Sequence, residues 1–249
     1  MKTINFETVA PRAIKFMLYS FMATMILFAI SCSESTSPDN QADVVIRTEL
    51  TKQTLSKIEL KDNEQLQKSG VDSLQIKKVR ILLKEIKFHK EAESDDSKDN
   101  SFKVGPFVFV GDSTGAYFDL ANGTIPSGVY SKIKFEIHRF SSSQLASYSN
   151  NATFIDFADN NRYTVIIEGD AFKSGISSRF TFKSDVTENI SLKFPTSIVL
   201  DDVDKNYIYL QINPLDLLKS GSFVYDPKDT TNKNEIDKLI KSAIKALKK

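Results

Sequence analysis

One cysteine, Cys32, stands in 249 residues, accompanied by no tryptophan, two histidines and a formal charge of only +1. A single thiol excludes a disulfide within the chain, so stability has to come from a packed core. A hydrophobic content of 41% is enough to build one. His89 and His138 have no third nitrogen or thiolate ligand beside them, which argues against a zinc site. No serine sits in a nucleophile-elbow context, so the sequence makes no case for a Ser-His-Asp hydrolase. The near-zero charge likewise makes no electrostatic case for nucleic acid as a partner. Phe16–Ile30 is the one long apolar run, broken only by Tyr19, Ser20 and Thr24. As a helix it would span about 22 Å, short of the ~30 Å hydrocarbon core.

What stands around that run is informative. Lys2, Arg12 and Lys15 against Glu7 make it a basic-then-apolar secretory signal rather than a permanent span. The run closes on Ala29-Ile30-Ser31-Cys32. This quartet resembles the lipobox of bacterial lipoprotein signals, with alanine where leucine is commonest. The resemblance implies that residues 1–31 are removed as a signal peptide, that Cys32 takes a diacylglyceryl thioether, and that the mature chain is held at a membrane through that lipid. Ser33 rather than aspartate follows, which under the enterobacterial sorting rule favours the outer membrane and leaves its leaflet open. The alternative is an uncleaved N-terminal anchor beside an incidental cysteine. Removal of the signal takes 33 basic and 32 acidic residues to 30 and 31.

Residues 32–42 read as a flexible tether, because Ser33–Ala42 holds Ser, Glu, Thr, Pro, Asp, Asn and Gln and nothing apolar larger than alanine. A folded domain is expected over 43–249, opening with a strand at Val44, Val45 and Ile46. Thr51–Leu74 reads as a connection with a helical turn. Ile76, Val79, Leu82, Leu83 and Ile86 fit a helix as well as a strand, and length and β-branching favour a long bulged strand. Val129, Ser131, Ile133, Phe135 and Ile137 alternate with Tyr130, Lys132, Lys134, Glu136 and His138, the clearest period-two segment in the chain. Similar runs recur at Tyr163–Ile167, Phe180–Phe182, Ile190–Phe194 and Ile208–Ile212, each bounded by turn residues. Many short strands without intervening helices predict an antiparallel β-sandwich or barrel. At the C-terminus, Ile236, Leu239, Ile240, Ala243, Ile244 and Leu247 form one apolar stripe, predicting an amphipathic helix over about 233–248 that docks on the sandwich. Asn232 with Glu235 suggests a capping box. A membrane-surface helix is the alternative, with Lys238, Lys241 and Lys245 on its polar side.

Lys84-Glu85-Ile86-Lys87-Phe88-His89, then Phe102-Lys103-Val104-Gly105-Pro106-Phe107, then Ile125-Pro126-Ser127-Gly128-Val129-Tyr130, resemble a family of bacterial lipoprotein domains of unknown function. The segment from Tyr163 through Asp216 and the tail at Asp226-Pro227-Lys228-Asp229 are similar to the ends of such proteins. The resemblance implies a mainly-β, antiparallel immunoglobulin- or prealbumin-like sandwich, as in carbohydrate-binding-like modules. Its motifs are structural and imply a fold more than a function. In the turn, Pro126 fixes φ and Gly128 supplies a conformation other residues resist.

Candidate chemistry is thin. His89 and His138 are expected to face solvent. The acidic runs Glu91, Glu93, Asp95, Asp96, Asp99 and Asp201, Asp202, Asp204 could each collect calcium or simply be solvated hairpin tips. Asp226–Asp237 has the length of an EF-hand loop but puts Lys228 at a ligand position and Thr231 at the turn glycine, and is rejected. Tyr207 and Tyr209 share an outward phase with Gln211 and Asn213, a combination suited to stacking sugars, against the alternative of cross-strand packing. The absence of tryptophan weakens the sugar reading. The sequence therefore assigns no catalytic, cofactor or metal residue, and one modified residue, Cys32. It points to a lipid-anchored extracytoplasmic binding or scaffold module of the cell envelope, not an enzyme, with a glycan or a protein as ligand. A structural component recruiting a protein and a hydrolase with paired carboxylates are the alternatives.

Overall fold

The computed structural model describes residues 40–51, 71–91, 100–221 and 223–248. Cys32, the signal segment 1–31 and most of the tether lie outside the described residues, as does most of the Thr51–Leu74 connection. Asn40–Lys249 forms one compact unit. The strand elements are β1 (Gln41–Leu50), β2 (Ser73–Lys90), β3 (Asn100–Asp112), β4 (Phe118–Pro126), β5 (Gly128–Ile137), β6 (Val165–Lys173), β7 (Ile176–Ser184), β8 (Glu188–Leu200) and β9 (Asn206–Ile212). Two short strands, β10 (Lys219–Ser220) and β11 (Phe223–Val224), and β12 (Ile244–Lys248) complete them, with helices α1 (Leu145–Tyr148) and α2 (Lys233–Ala243). The chain is mainly β, as the alternation predicts.

Two sheets form the sandwich. One has the order β12-β9-β1-β4, and in it β1 and β9 run parallel while the other pairs are antiparallel. The second is built on β2, the longest strand, in the order β7-β6-β2-β5-β8, with β3 also paired to β2. The registers place β6 along the first half of β2 and β5 along the second half on one edge, and β3 on the other. Apolar side chains of both sheets meet in one core, from Val44, Ile46 and Ile208 on one side to Val79, Phe88 and Ile133 on the other. The approach is close where β3 passes under β1. A Cβ on Gly111 would stand 2.7 Å from the Leu50 side chain, so only glycine fits there.

Bulges keep the core in phase. In β2 the register shifts between Ile76 and Lys78 against β6 and between Leu83 and Glu85 against β3. Each shift returns Ile76, Val79, Ile81, Leu83, Ile86 and Phe88 to the core, where a slip would turn them to the opposite face. The bulged long strand read from the sequence is present. In β5 the same device corrects the expected phase: the register shifts between Tyr130 and Lys132. Ile133, Phe135 and Ile137 stay inside as expected, but Tyr130 is fully buried and Val129 is 41% exposed. Tyr130 packs edge-on against Phe88 and its hydroxyl donates to the Pro126 carbonyl at 2.6 Å. Gly128 opens the strand with φ 155°, the unusual conformation the turn requires.

The two ends of the domain differ from the sequence boundaries. The first strand starts at Gln41, two residues before Asp43, because the first residues of β1 pair with the end of β4 and Ala42 is buried there. The helix expected over 233–248 stops at Ala243, and Ile244–Lys248 continues as β12, antiparallel to β9. Ile244 takes extended angles and pairs opposite Ile212, satisfying a backbone edge that β9 would otherwise leave open. Ile244 and Ala246 are buried and Lys245 is exposed, so the same residues satisfy a period of two as well as the helical stripe. The capping box is also absent. Asn232 has helical angles and its amide donates to the Asp226 carbonyl at 3.0 Å, while Asp229 caps the preceding 3-10 turn through Thr231.

Helix α2 docks by Ile236, Ile240 and Ala243, as the stripe predicts. Its polar side is fastened by charge. Lys233 Nζ lies 2.9 Å from both Asp185 and Asp237, and Ser184 Oγ donates to Asp237 at 2.6 Å. The hydrogen bond from Lys233 holds Asp185 below the usual carboxylate range against the effect of burial. Burial pushes the Lys233 ammonium down, but the bonds to Asp185 and Asp237 outweigh it and raise it overall. Asp185 therefore contributes stability that is present above its unfolded range and lost as pH falls through its lowered folded value. Lys233 contributes stability that is present below its unfolded range and lost as pH rises through its raised one. Lys233 and Asp185 are 38% and 44% exposed, so the pair is screened. Lys233→Met is expected to cost about 1 kcal/mol or less at pH 7 and to lessen the destabilisation between pH 5 and pH 3, read from urea melts.

Candidate functional site

The outer face of the β2 sheet is divided in two. Over the first half of β2 it is covered by residues 138–164, whose Phe140, Phe157 and Ala158 pack on Leu82 and Ile166. Phe140 stacks on Tyr148 with ring centroids 4.5 Å apart. Arg80 fixes this cover, bonding Asp156 at 2.5 Å and Glu168 at 2.9 Å beneath the Phe157 ring. Over the second half of β2 the face carries an open groove of about 370 Å³ on β2, β5 and β8. That volume falls within the range of ordinary ligand sites, roughly 300–1,000 Å³.

Strand register builds the groove. Core residues Ile86, Phe88, Ile133, Phe135 and Ile190 alternate with outward polar ones, and pairing aligns the latter in three cross-strand rows, of which the second and third line the groove together with Phe135 and Ile190. Nearest the Gly128 turn, His89 is opposite Lys132 and Lys132 opposite Lys193. Next, Lys87 is opposite Lys134 and Lys134 opposite Ser191. Beyond the bulge, Glu136 is opposite Asn189, with Glu85 lining the same groove. Lys87 pairs along β2 with Glu85 at 3.1 Å, and Lys84 of β2 pairs across strands with Glu136 of β5 at 3.2 Å.

The residues singled out from sequence are dispersed. His138 is exposed just past β5, as expected, but His89 is only 3% exposed. It keeps the outward phase of the lysine row and is covered there, which alternation could not reveal. The two histidines are not brought together: one lies in the row by the Gly128 turn and the other beyond the far end of β5. Of the acidic run Glu91–Asp99, only Glu91 is among the described residues. The Asp201–Asp204 turn is held from below, the Asn206 amide donating to the carbonyls of Asp201, Asp204 and Asp43 at 2.9, 3.1 and 3.2 Å. Among the described residues no three of His, Cys, Asp and Glu gather as a metal site.

Tyr207 and Tyr209 do share the outward phase of β9, but Tyr209 is only 7% exposed. It packs edge-on against Tyr117 with centroids 5.0 Å apart. Arg47 lies 4.4 Å from the Tyr207 ring centroid and bonds Asp119 at 2.8 Å. Hydrogen bonds to Asp119 and then Tyr209 raise Arg47 above the ordinary arginine range. These tyrosines pack across strands, the alternative the sequence left open to them, and a sugar-stacking platform is closed at Tyr209. The groove went unseen in the sequence because its lysines and glutamates look like any solvated strand face until three strands are placed side by side. The outward lysine alternation around β5 is the one signal that could have marked it.

No family model matches the chain, and no curated protein does. Among solved structures, MbnP from Methylosinus trichosporium aligns with 75% of this chain and 80% of its own, at 12% identity and a TM-score of 0.39. That likeness is too low to bear on function.

Proposed function

We propose that the protein is a binding or scaffold lipoprotein of the bacterial cell envelope, anchored through Cys32, non-catalytic, and holding its ligand in the groove on β2, β5 and β8. The groove supports the binding part: it is concave, charged and framed by rigid strands rather than by loops. The lipobox, the basic n-region and the single cysteine support the location, with the outer membrane favoured. The ligand classes are a glycan or a protein. A glycan and peptide array probed with the purified protein is expected to give signals that Asn189→Ala with Ser191→Ala weakens. Signals unchanged in that variant would remove the groove from the account.

One observation favours a second reading, a glycoside hydrolase: Glu85 and Glu136 line the same groove. Each is tied to a lysine of its own neighbourhood. Release of reducing sugar from a panel of polysaccharides, abolished by Glu136→Gln, would establish it in place of the binding module.

A further inference from the structure

We propose that the free edge of β7 is a docking site for an extended acidic segment of a partner protein, which adds to the sheet as an antiparallel strand. The site is distinct from the groove and does not rest on it. Strand β7 ends its sheet and pairs with β6 over its whole length without a register shift. The turn residues Ser174 and Gly175, with φ of 52° and 79°, close the hairpin on the pair of Lys173 and Ile176. In such a two-residue hairpin the closing pair exchanges both of its backbone bonds, and every second pair after it does the same. Ile176, Ser178, Phe180, Phe182 and Ser184 therefore bond towards β6. The Ser184 carbonyl, which accepts from Thr164 N at 2.7 Å, is turned to that side. The N–H and C=O groups of Ser177, Arg179, Thr181 and Lys183 point the other way. Among the described residues no backbone group bonds them there.

Two other margins are guarded against strand addition. β8 holds Lys193 and Pro195 where its register shifts against β5, and Lys103 covers the Asn122 carbonyl of β4 at 3.1 Å. β7 has neither proline nor bulge. Its repeating donors and acceptors match another peptide backbone, which makes the partner a protein. Charge then sets the class of segment. Ser177, Arg179 and Thr181 are exposed, and Lys183 lies half-buried with its ammonium 5.1 Å from the Tyr163 ring centroid. β7 carries no acidic residue, and the carboxylates across from it on β6 are already held. Asp170, opposite Arg179, is bonded by Lys77 at 2.6 Å, and Glu168, opposite Thr181, by Arg80 at 2.9 Å. Among the described residues neither Arg179 nor Lys183 forms an ion pair. An added strand sets every second side chain on their face, so carboxylates at alternate positions meet both cations. Its remaining side chains fall beside Phe180 and Phe182, where apolar residues suit. The same cations disfavour a second copy of this chain, whose β7 would bring Arg179 and Lys183 within reach of their own kind.

The test is binding of the full chain, purified in detergent, to a labelled, capped peptide of about nine residues that alternates glutamate and valine, long enough to cover the open edge. This peptide is expected to bind at least roughly tenfold tighter than the same peptide with lysine for glutamate. In the antiparallel arrangement the glutamate nitrogens face β7 and the valine nitrogens face away. N-methylation of the former is expected to abolish binding, and of the latter to leave it within about threefold. Thr181→Pro removes an outward N–H and no bond to β6, so binding should fall at least roughly tenfold while the urea midpoint stays near that of the parent. Arg179→Glu with Lys183→Glu should reverse the preference towards the lysine peptide. Asn189→Ala with Ser191→Ala should change nothing, so acidic strand peptides are scored apart from the array that tests the groove. Equal effects of the two methylations would overturn strand addition, leaving simple charge attraction. Equal binding of the glutamate and lysine peptides would overturn the acidic partner, and binding of neither would overturn the site. Binding lost in the groove variant would move the peptide to the groove. A dimer that Thr181→Pro dissolves, seen by sedimentation, would give the edge to a second copy and overturn the proposal.

Discussion

Phe88→Ala is expected to remove a fifth or more of the stability of the fold. Phe88 is fully buried on the strand that pairs with β3, β5 and β6. Its ring meets Phe102 at 5.6 Å and 85° and Tyr130 at 5.7 Å and 73°, both edge-on. Truncating a core phenylalanine costs about 3–5 kcal/mol, against roughly 5–15 kcal/mol for a whole domain. With no disulfide within the chain to limit the unfolded state, that loss is uncompensated. Urea melts should show a lower midpoint with an unchanged slope, and Phe88→Leu should recover most of the loss. A Phe88→Ala variant as stable as the parent would mean that β2 is not the spine of the core.

Cys32→Ala is expected to move the protein from the membrane fraction to the soluble one, or to stall it with its signal uncleaved. The expectation comes from the sequence, since Cys32 lies outside the described residues. One myristoyl chain binds a bilayer only marginally, on the order of 10⁴ M⁻¹, whereas the two or three chains of a lipoprotein anchor stably. Loss of a single sulfur is thus expected to change location outright while leaving the sandwich intact. Globomycin should reproduce the processing defect in the parent. Unchanged processing and unchanged membrane retention would mean that the anchor lies elsewhere.

Strict alternation made most of the strands legible, because a sheet with one buried face writes its period into the sequence. It served for β7, β8, β9 and most of β5, and the i, i+3, i+4 stripe served for α2. Prediction failed where a non-local partner decided the outcome. The bulge that turns Tyr130 inward depends on β8, and the conversion of Ile244–Lys248 to a strand depends on the edge of β9. Neither leaves a local mark, since Ile244 and Ala246 suit both periods. The burial of His89 and Tyr209 has the same origin: phase says which way a side chain points, not what lies above it. The groove is the extreme case. Glu85, Lys87, Lys134, Glu136, Asn189 and Ser191 come from three segments spread over a hundred residues, and only the register brings them together.

The groove is also where the account is most exposed to contradiction. Two-dimensional NMR of the lipid-free protein, titrated with the ligand that an array identifies, reports which surface responds. Shifts confined to Lys87, Lys134, Glu136, Asn189, Ser191 and their neighbours on β2, β5 and β8 are the predicted result. Shifts centred instead on Arg47, Tyr117 and Tyr207, with β5 and β8 silent, would contradict it.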